Sequence, residues 1–227
     1  MSARVAGAAP TVLVVGGSPE GAAPRVVAVL AARADHVVAV DRGLDALAAA
    51  GVAPELFCGD VDSVSAGGAA RVSAAEAAHG RGDAFEVERY RPEKDYTDLS
   101  LALRAINERW GAAALLCCGV GGGRPDHFLG VLGRLADWPG PVELVEEPCR
   151  GRVLHGGESW QLEGARGARF SFVPLSPSAT VSLAGMHWRL EAAVVPLLSD
   201  LGISNTVEDA TASIVCHDGV VAAWLFT

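Results

Sequence analysis

Thr11-Val12-Leu13-Val14-Val15-Gly16-Gly17 is a short apolar run, mostly β-branched, that empties into two glycines. Val37-Val38-Ala39-Val40-Asp41 repeats the arrangement with an acid at its end. Apolar runs of this length without polar alternation read as strands buried on both faces, each opening into a loop at its C-terminal end. Pro24 to Ala34 between them has helical composition, as do the Ala-rich segments Leu44 to Ala50 and Ala69 to Ala78. Leu56-Phe57-Cys58, Phe85-Glu86-Val87 and Ala113 to Cys118 read as further strands. Thr97 is placed to cap a helix from Asp98 to Trp110, and His127 to Ala136 forms the next helix. Strands alternating with helices predict an α/β domain with a doubly wound, mostly parallel sheet.

The pattern changes at Trp138-Pro139-Gly140-Pro141. Short extended runs separated by turn residues follow: Val142 to Val145, Arg152 to Leu154, Ser159 to Leu162, Ala168 to Val173, Thr180 to Leu183, Ala212 to Cys216 and Val220 to Phe226. Such spacing predicts an all-β sandwich. The expected organisation is therefore an α/β domain over residues 1–139 and a β domain over 140–227, without internal repeats.

A chain of 227 residues, half of them hydrophobic and 20% charged, is globular and long enough for one large domain or two small ones. Its formal net charge of -9 disfavours nucleic acid, whose sequence-independent binding rests on Lys and Arg neutralising phosphates. A phosphorylated ligand would need local cations or a metal. No apolar stretch approaches the roughly 20 residues needed to cross a bilayer, and no signal peptide is evident, so a cytoplasmic protein without membrane partners is expected. Cys58, Cys117, Cys118, Cys149 and Cys216 show neither zinc-site spacing nor a disulfide framework, and are expected to be reduced.

Three loops carry the chemistry, and each follows a strand, where open α/β sheets bind ligands. Gly59-Asp60-Val61-Asp62-Ser63 sets two carboxylates one residue apart, able to share a hard cation such as Mg²⁺ or to cap backbone amides in an Asx turn. Lys94-Asp95-Tyr96-Thr97-Asp98 adds acids beside a lysine suited to phosphate oxygens or to plain solvation. Gly121-Gly122-Gly123-Arg124-Pro125-Asp126-His127 allows close backbone approach to a ligand. Its Arg124 can grip phosphate or pair with Asp126, and His127 can face the ligand or cap the helix behind it. It matches neither the dinucleotide fingerprint nor the Walker A loop. With Asp41, four acids can converge at one sheet edge, and without a cation they would repel one another and raise their own pKa values. A metal and a polyphosphate resolve that conflict.

The ordered set Asp41-Arg42-Gly43, Gly59 to Ser63, Lys94 to Asp98, Gly122 to His127, Gly185-Met186-His187-Trp188 and Gly202-Ile203-Ser204-Asn205 resembles the thiamine pyrophosphokinase family over most of the chain. The resemblance implies an N-terminal α/β domain, a C-terminal β-sandwich, a homodimer, and Mg²⁺-dependent pyrophosphoryl transfer from ATP, the co-substrate, to thiamine. Residue by residue, it implies Asp41, Asp60, Asp62 and Asp98 as metal ligands around the ATP phosphates. Lys94, Arg124 and Asp126 join the catalytic set, with Gly122, Gly123 and His127 on the nucleotide. Trp188, a sandwich-core residue on the blander reading, would pack on thiamine, a cation suited to an aromatic face, with Ser204 and Asn205 close by. Arg42 departs from the pattern, standing where the family has a glycine. Two rivals remain at this stage: a pyrophosphokinase for another primary alcohol such as a hydroxymethylpterin, and a non-catalytic nucleotide or thiamine-phosphate sensor.

Overall fold

The computed structural model describes residues 9–78 and 84–226. The chain divides into two units, Met1–Val131 and Leu132–Thr227. The first alternates β1 (Thr11–Val15), α1 (Pro24–Ala31), β2 (His36–Val40), α2 (Gly43–Ala49), β3 (Leu56–Gly59), α3 (Ala66–Ala77), β4 (Glu86–Arg89), α4 (Asp98–Trp110) and β5 (Ala114–Cys118), and α5 (Pro125–Ala136) carries the point of division. The strand order is β5-β1-β2-β3-β4, and every pairing is parallel. Val12 to Val15 are fully buried, as a strand paired on both edges and covered on both faces must be. From β1 to β4 the chain moves steadily across the sheet, so right-handed crossovers place α1, α2 and α3 on one face. The return from β4 to β5 puts α4 on the other, against β2 and β3. Leu99, Ala102, Leu103, Ala105 and Ile106 give α4 its buried stripe, while Arg104 and Glu108 pair at 2.9 Å on the wet side. Thr97 caps this helix by accepting from the Ser100 amide. This is the doubly wound sheet expected from the sequence.

The second unit is antiparallel. β6 (Val142–Glu146), β7 (Cys149–His155), β8 (Ser159–Glu163), β9 (Arg169–Pro174), β10 (Ser178–Ala184), β11 (Leu190–Pro196), β12 (Asn205–Thr206), β13 (Thr211–Asp218) and β14 (Val220–Phe226) form two layers, ordered β12-β9-β14-β7-β6 and β11-β10-β13-β8. Inward alternation is regular: Trp160 and Leu162 on β8, Ala179, Val181 and Leu183 on β10, and Ala212, Ile214 and Cys216 on β13 are buried. They share one core with Phe170, Phe172 and Leu225 from the facing layer. Two strands, β11 and β12, were not among the extended runs read from the sequence. β11 is an edge strand whose sequence, Leu-Glu-Ala-Ala-Val-Val-Pro, buries only Val195. β12 is two residues long.

Candidate active site

In the first unit the chain leaves β1 and β5, which are neighbours, in opposite directions, opening a crevice at the C-terminal edge of the sheet. Backbone pairing carries on past the strand ends: Gly16 N–H donates to Cys118 O and Ser18 N–H to Gly119 O, both at 2.8 Å, and Asp41 N–H donates to Cys58 O at 3.1 Å. These bonds hold the loops in register around a cavity of about 400 Å³, lined by Gly16 to Ser18, Asp41, Asp60, Asp62, Asp98, Gly121, Gly122, Arg124 and His127 among others. The first turns of α4 and α5 both border it, so two helix N-termini offer partial positive charge there.

Asp41, Asp60 and Asp98 present carboxylate oxygens that all lie within 4.8 Å of one another. Lys94 Nζ bridges two of them, at 2.8 Å from Asp60 Oδ2 and 2.9 Å from Asp98 Oδ2. One oxygen each of Asp41 and Asp98, Oδ1, is buried with no hydrogen-bond partner among the described residues. Burial first, and then the charges of Asp98 and Asp60, push the Asp41 carboxyl up to about 7. Burial opposes ionisation of Asp60 as well, but the Lys94 contact and the Asp62 amide outweigh it and hold Asp60 below the usual carboxylate range. Burial likewise works against the Lys94 ammonium, and its bonds to Asp60 and Asp98 prevail and raise it. Asp62 shares a hydrogen bond with Asp60, and that contact, followed by burial and the Asp60 charge, raises the Asp62 carboxyl. The Asp62 amide donates to Asp60 Oδ1 at 3.1 Å, so an Asx turn shapes the loop and leaves Asp60 Oδ2 to Lys94.

Glycines make room for this cluster. A Cβ on Gly59 would stand 2.1 Å from Asp41 Oδ1, and one on Gly43 would stand 1.9 Å from Val15 O. Asp41 itself is left-handed, with φ 48°, a conformation that Asp tolerates better than most residues. Arg42, by contrast, is right-handed with φ -57°, so a side chain there costs no backbone strain. It points to solvent and its Nε donates to Ser63 O at 3.4 Å, joining the loop after β2 to the loop after β3.

In the glycine-rich loop, Gly122 and Gly123 have φ of 76° and 63°. Arg124 and Asp126 form an exposed pair, with Nε to Oδ1 at 3.1 Å, and this contact holds Asp126 well down, at about 2. Arg124 and His127 line the cavity, whereas Gly123 and Asp126 are not on its wall.

In the second unit, Trp188 is 59% exposed, which excludes it from the sandwich core. Its ring meets His187 edge to face at 4.6 Å, and His187 Nδ1 lies 2.7 Å from Glu208 Oε1. Asn205 is buried and fully engaged: Oδ1 accepts from the amides of Trp188 and Thr206, and Nδ2 donates to Trp188 O at 2.7 Å. Ser204 is left-handed at φ 62°, with its amide donating to Ser171 Oγ. Asn205 thus braces the backbone that presents the indole.

Several contributors escaped the sequence reading. Asp45 accepts from both the amide and the hydroxyl of Ser65, the N-cap of α3, and so ties down the end of the Asp60 loop. Glu20, whose carboxylate also accepts the Ser18 hydroxyl, meets the glycine-rich loop at Gly123 from a turn 103 positions away. A polar residue beside Pro19 and Gly21 signals a turn and nothing more, so only the topology reveals the contact.

A parallel sheet that gathers carboxylates, an ammonium and a glycine-rich loop around one cavity defines an enzyme of phosphoryl transfer. Comparison with known proteins makes this specific. Residues 27–141 match the catalytic domain of thiamin pyrophosphokinase, and residues 160–221 match its vitamin B1 binding domain. Thiamine pyrophosphokinase of Bacillus subtilis is 31% identical over 175 residues, covering 74% of this chain and 76% of that protein. Its crystal structure superposes with a TM-score of 0.76 at 26% identity, covering 96% of this chain and 99% of the other. The Geobacillus thermodenitrificans enzyme gives 0.71 at 27% identity, covering 96% and 97%. Thiamin pyrophosphokinase from Candida albicans, at 14% identity, shares the fold with a TM-score of 0.75, covering 96% and 90%. The chain belongs to the thiamine pyrophosphokinase family.

Proposed function

We propose that this chain transfers the pyrophosphoryl group of ATP to the hydroxyl of thiamine, giving thiamine diphosphate and AMP, at the carboxylate cavity of the first unit. The observation that carries the reading is the pair of buried, unpartnered oxygens, Asp41 Oδ1 and Asp98 Oδ1, within a cluster of three carboxylates. An all-oxygen donor set with unspent negative charge suits Mg²⁺, which is ordinarily held by one or two carboxylates together with substrate phosphates. Asp41, Asp60 and Asp98 would hold the ion, with Asp62 at their edge. Bound there, Mg²⁺ would neutralise charge on the phosphate oxygens of ATP.

The residues themselves bind and orient. Arg124, Gly122 and the first turns of α4 and α5 receive the nucleotide phosphates, and His127 lines the same wall. Lys94 holds Asp60 and Asp98 in place and sets a positive charge beside the transferred group. The thiamine oxygen attacks the β-phosphorus, a new O–P bond forms, and the bond from the β-phosphorus to the oxygen it shares with the α-phosphorus breaks, so AMP leaves. A carboxylate of the cluster takes the hydroxyl proton. No covalent enzyme intermediate is needed, since positioning and charge neutralisation carry phosphoryl transfer. Trp188, exposed and braced by Asn205, supplies a face for thiamine's cationic ring, with Ser204 beside it.

A homodimer accords with the exposed apolar side chains of Val194, Leu197, Leu198, Leu201 and Ile203, close together in sequence, which a second copy would cover. Among the described residues no helix is long and apolar enough to cross a membrane. Five cysteines in thiol form, with no disulfide among the described residues, and a need for ATP favour the reducing cytoplasm.

The test is direct. Purified protein incubated with ATP, Mg²⁺ and thiamine should form thiamine diphosphate and AMP in equal amounts. Formation of ADP, or turnover of a hydroxymethylpterin in preference to thiamine, would overturn the assignment.

A further inference from the structure

The loop after β1 forms a turn, Ser18-Pro19-Glu20-Gly21, closed by the Gly21 amide donating to Ser18 O at 2.9 Å. Proline at the second position and a left-handed Gly21, φ 68°, at the fourth make it stiff. That turn presents Glu20 to the glycine-rich loop after β5. Glu20 Oε1 accepts the Gly123 amide at 3.1 Å, and Oε2 accepts the Ser18 hydroxyl at 2.8 Å. The fit is close on the glycine side: a Cβ on Gly122 would stand 2.3 Å from Glu20 Oε2, and one on Gly123 would meet the Pro19 ring at 3.0 Å. Ser18, Pro19, Gly122 and Arg124 line the cavity, whereas Glu20 does not. The Ser18 hydroxyl, aided by local amides that include Gly123, holds the Glu20 carboxyl below its usual range, so the contact is made by an anion at neutral pH.

We infer that Glu20 is a positioning residue: its carboxylate clasps the glycine-rich loop to the turn after β1 and thereby sets the place of Gly122 and Arg124 on the nucleotide wall. The inference rests on the function proposed above. Two consecutive left-handed glycines leave a loop with much conformational freedom, and a charge-assisted bond to one of their amides is an economical way to select one arrangement. The clasp acts on the nucleotide side alone, because none of its partners belongs to the segment around Trp188.

The experiment compares Glu20→Ala and Glu20→Gln with the wild type by steady-state kinetics and by amide hydrogen exchange over residues 121–124 in the ligand-free protein. Glu20→Ala should raise KM for ATP roughly tenfold, with kcat, KM for thiamine and melting temperature little changed, and exchange at Gly123 should accelerate. Glu20→Gln should recover most of the loss, since its amide can accept from Gly123 and donate to Ser18. Unchanged exchange in Glu20→Ala would overturn the clasp. Faster exchange with an unaltered KM for ATP would overturn its positioning role, as would a rise in both KM values together with a lowered melting temperature. Exchange is read without turnover, so absence of thiamine diphosphate synthesis in the wild type would remove the functional reading while the loop contact is still tested.

Discussion

Lys94 stands where a metal would otherwise be the first cation, and replacing it with methionine tests what balances the cluster. Its ammonium lies 2.8 Å from Asp60 and 2.9 Å from Asp98, with side-chain exposures of 15%, 8% and 14% for the three residues. At an effective dielectric of about 20, each contact is worth on the order of 6 kcal/mol gross, most of it offset by desolvation. Removing one partner of a largely buried pair leaves the other charges uncompensated and costs roughly 3–5 kcal/mol. For a chain of this size that corresponds to a fall in melting temperature of roughly 6–20 °C. The assay is thermal unfolding of chelator-treated Lys94→Met and wild-type protein, repeated with saturating Mg²⁺. The metal-free variant should melt well below the wild type. Mg²⁺ should raise the variant more than the wild type, because the ion takes over the neutralising role and no longer competes with the ammonium for Asp60 and Asp98. Lowering the pH should narrow the metal-free gap, since a carboxylate that has lost its counter-charge can accept a proton instead. Equal melting of the two metal-free proteins, or a smaller Mg²⁺ gain in the variant, would refute the reasoning.

Gly59→Ala places a methyl 2.1 Å from Asp41 Oδ1, so Asp41 must swing away; an overpacking cost of roughly 1–3 kcal/mol expressed at the site should lower activity by roughly 5- to 150-fold. Full activity with normal Mg²⁺ dependence would show that Asp41 is dispensable. The Asp41 carboxyl, raised from 3.8 to about 7, contributes stability that is fully present below 3.8 and is lost as pH rises through 7 in metal-free protein. Metal-free Asp41→Asn should therefore gain on the wild type between about pH 4 and about pH 7, and a pH-independent difference in melting temperature would contradict this. Trp188→Ala, at a side chain 59% exposed, should leave the fold and ATP binding intact while weakening thiamine by about 0.5–2 kcal/mol, a loss of roughly 2- to 30-fold. Separate calorimetric titrations decide it, and unchanged thiamine affinity would sink the assignment.

The parallel sheet was legible because β1, β2, β3 and β5 are continuous apolar runs ending abruptly in glycine or acid, as at Val15-Gly16 and Val40-Asp41, while the edge strand β4, Glu86-Val87-Glu88-Arg89, carries a weaker signal. Covered on both faces, such strands need no alternation and stand out by density alone. In the second unit the alternating strands were equally plain, but β11 was not among them: its Leu-Glu-Ala-Ala start lacks the β-branched alternation of a strand, and its place at a sheet edge is what makes it one. For the site, residue types announced Asp41, Asp60 and Asp98, since each lies at an element boundary. What no spacing reveals is that β1 sits between β2 and β5, the fact that brings Glu20 to Gly123. The pairing of Lys94 with two carboxylates likewise needs distances. Of the two glycines beside the cluster acids, Gly59 gave no sign that Asp41 would fill its missing side chain's space.

The position of β5 also governs how this protein must be made. Thr11 pairs with Ala114, so one edge of the fully buried β1 has no partner until about a hundred further residues have been synthesised. At ribosomal rates that interval is roughly 5–20 s, during which Val12 to Val15 present an apolar, unprotected strand edge to the cell. The crevice proposed to receive phosphate is therefore also the last seam of the first unit to close during translation, and the nascent chain keeps that apolar edge open until the proposed nucleotide site is itself assembled.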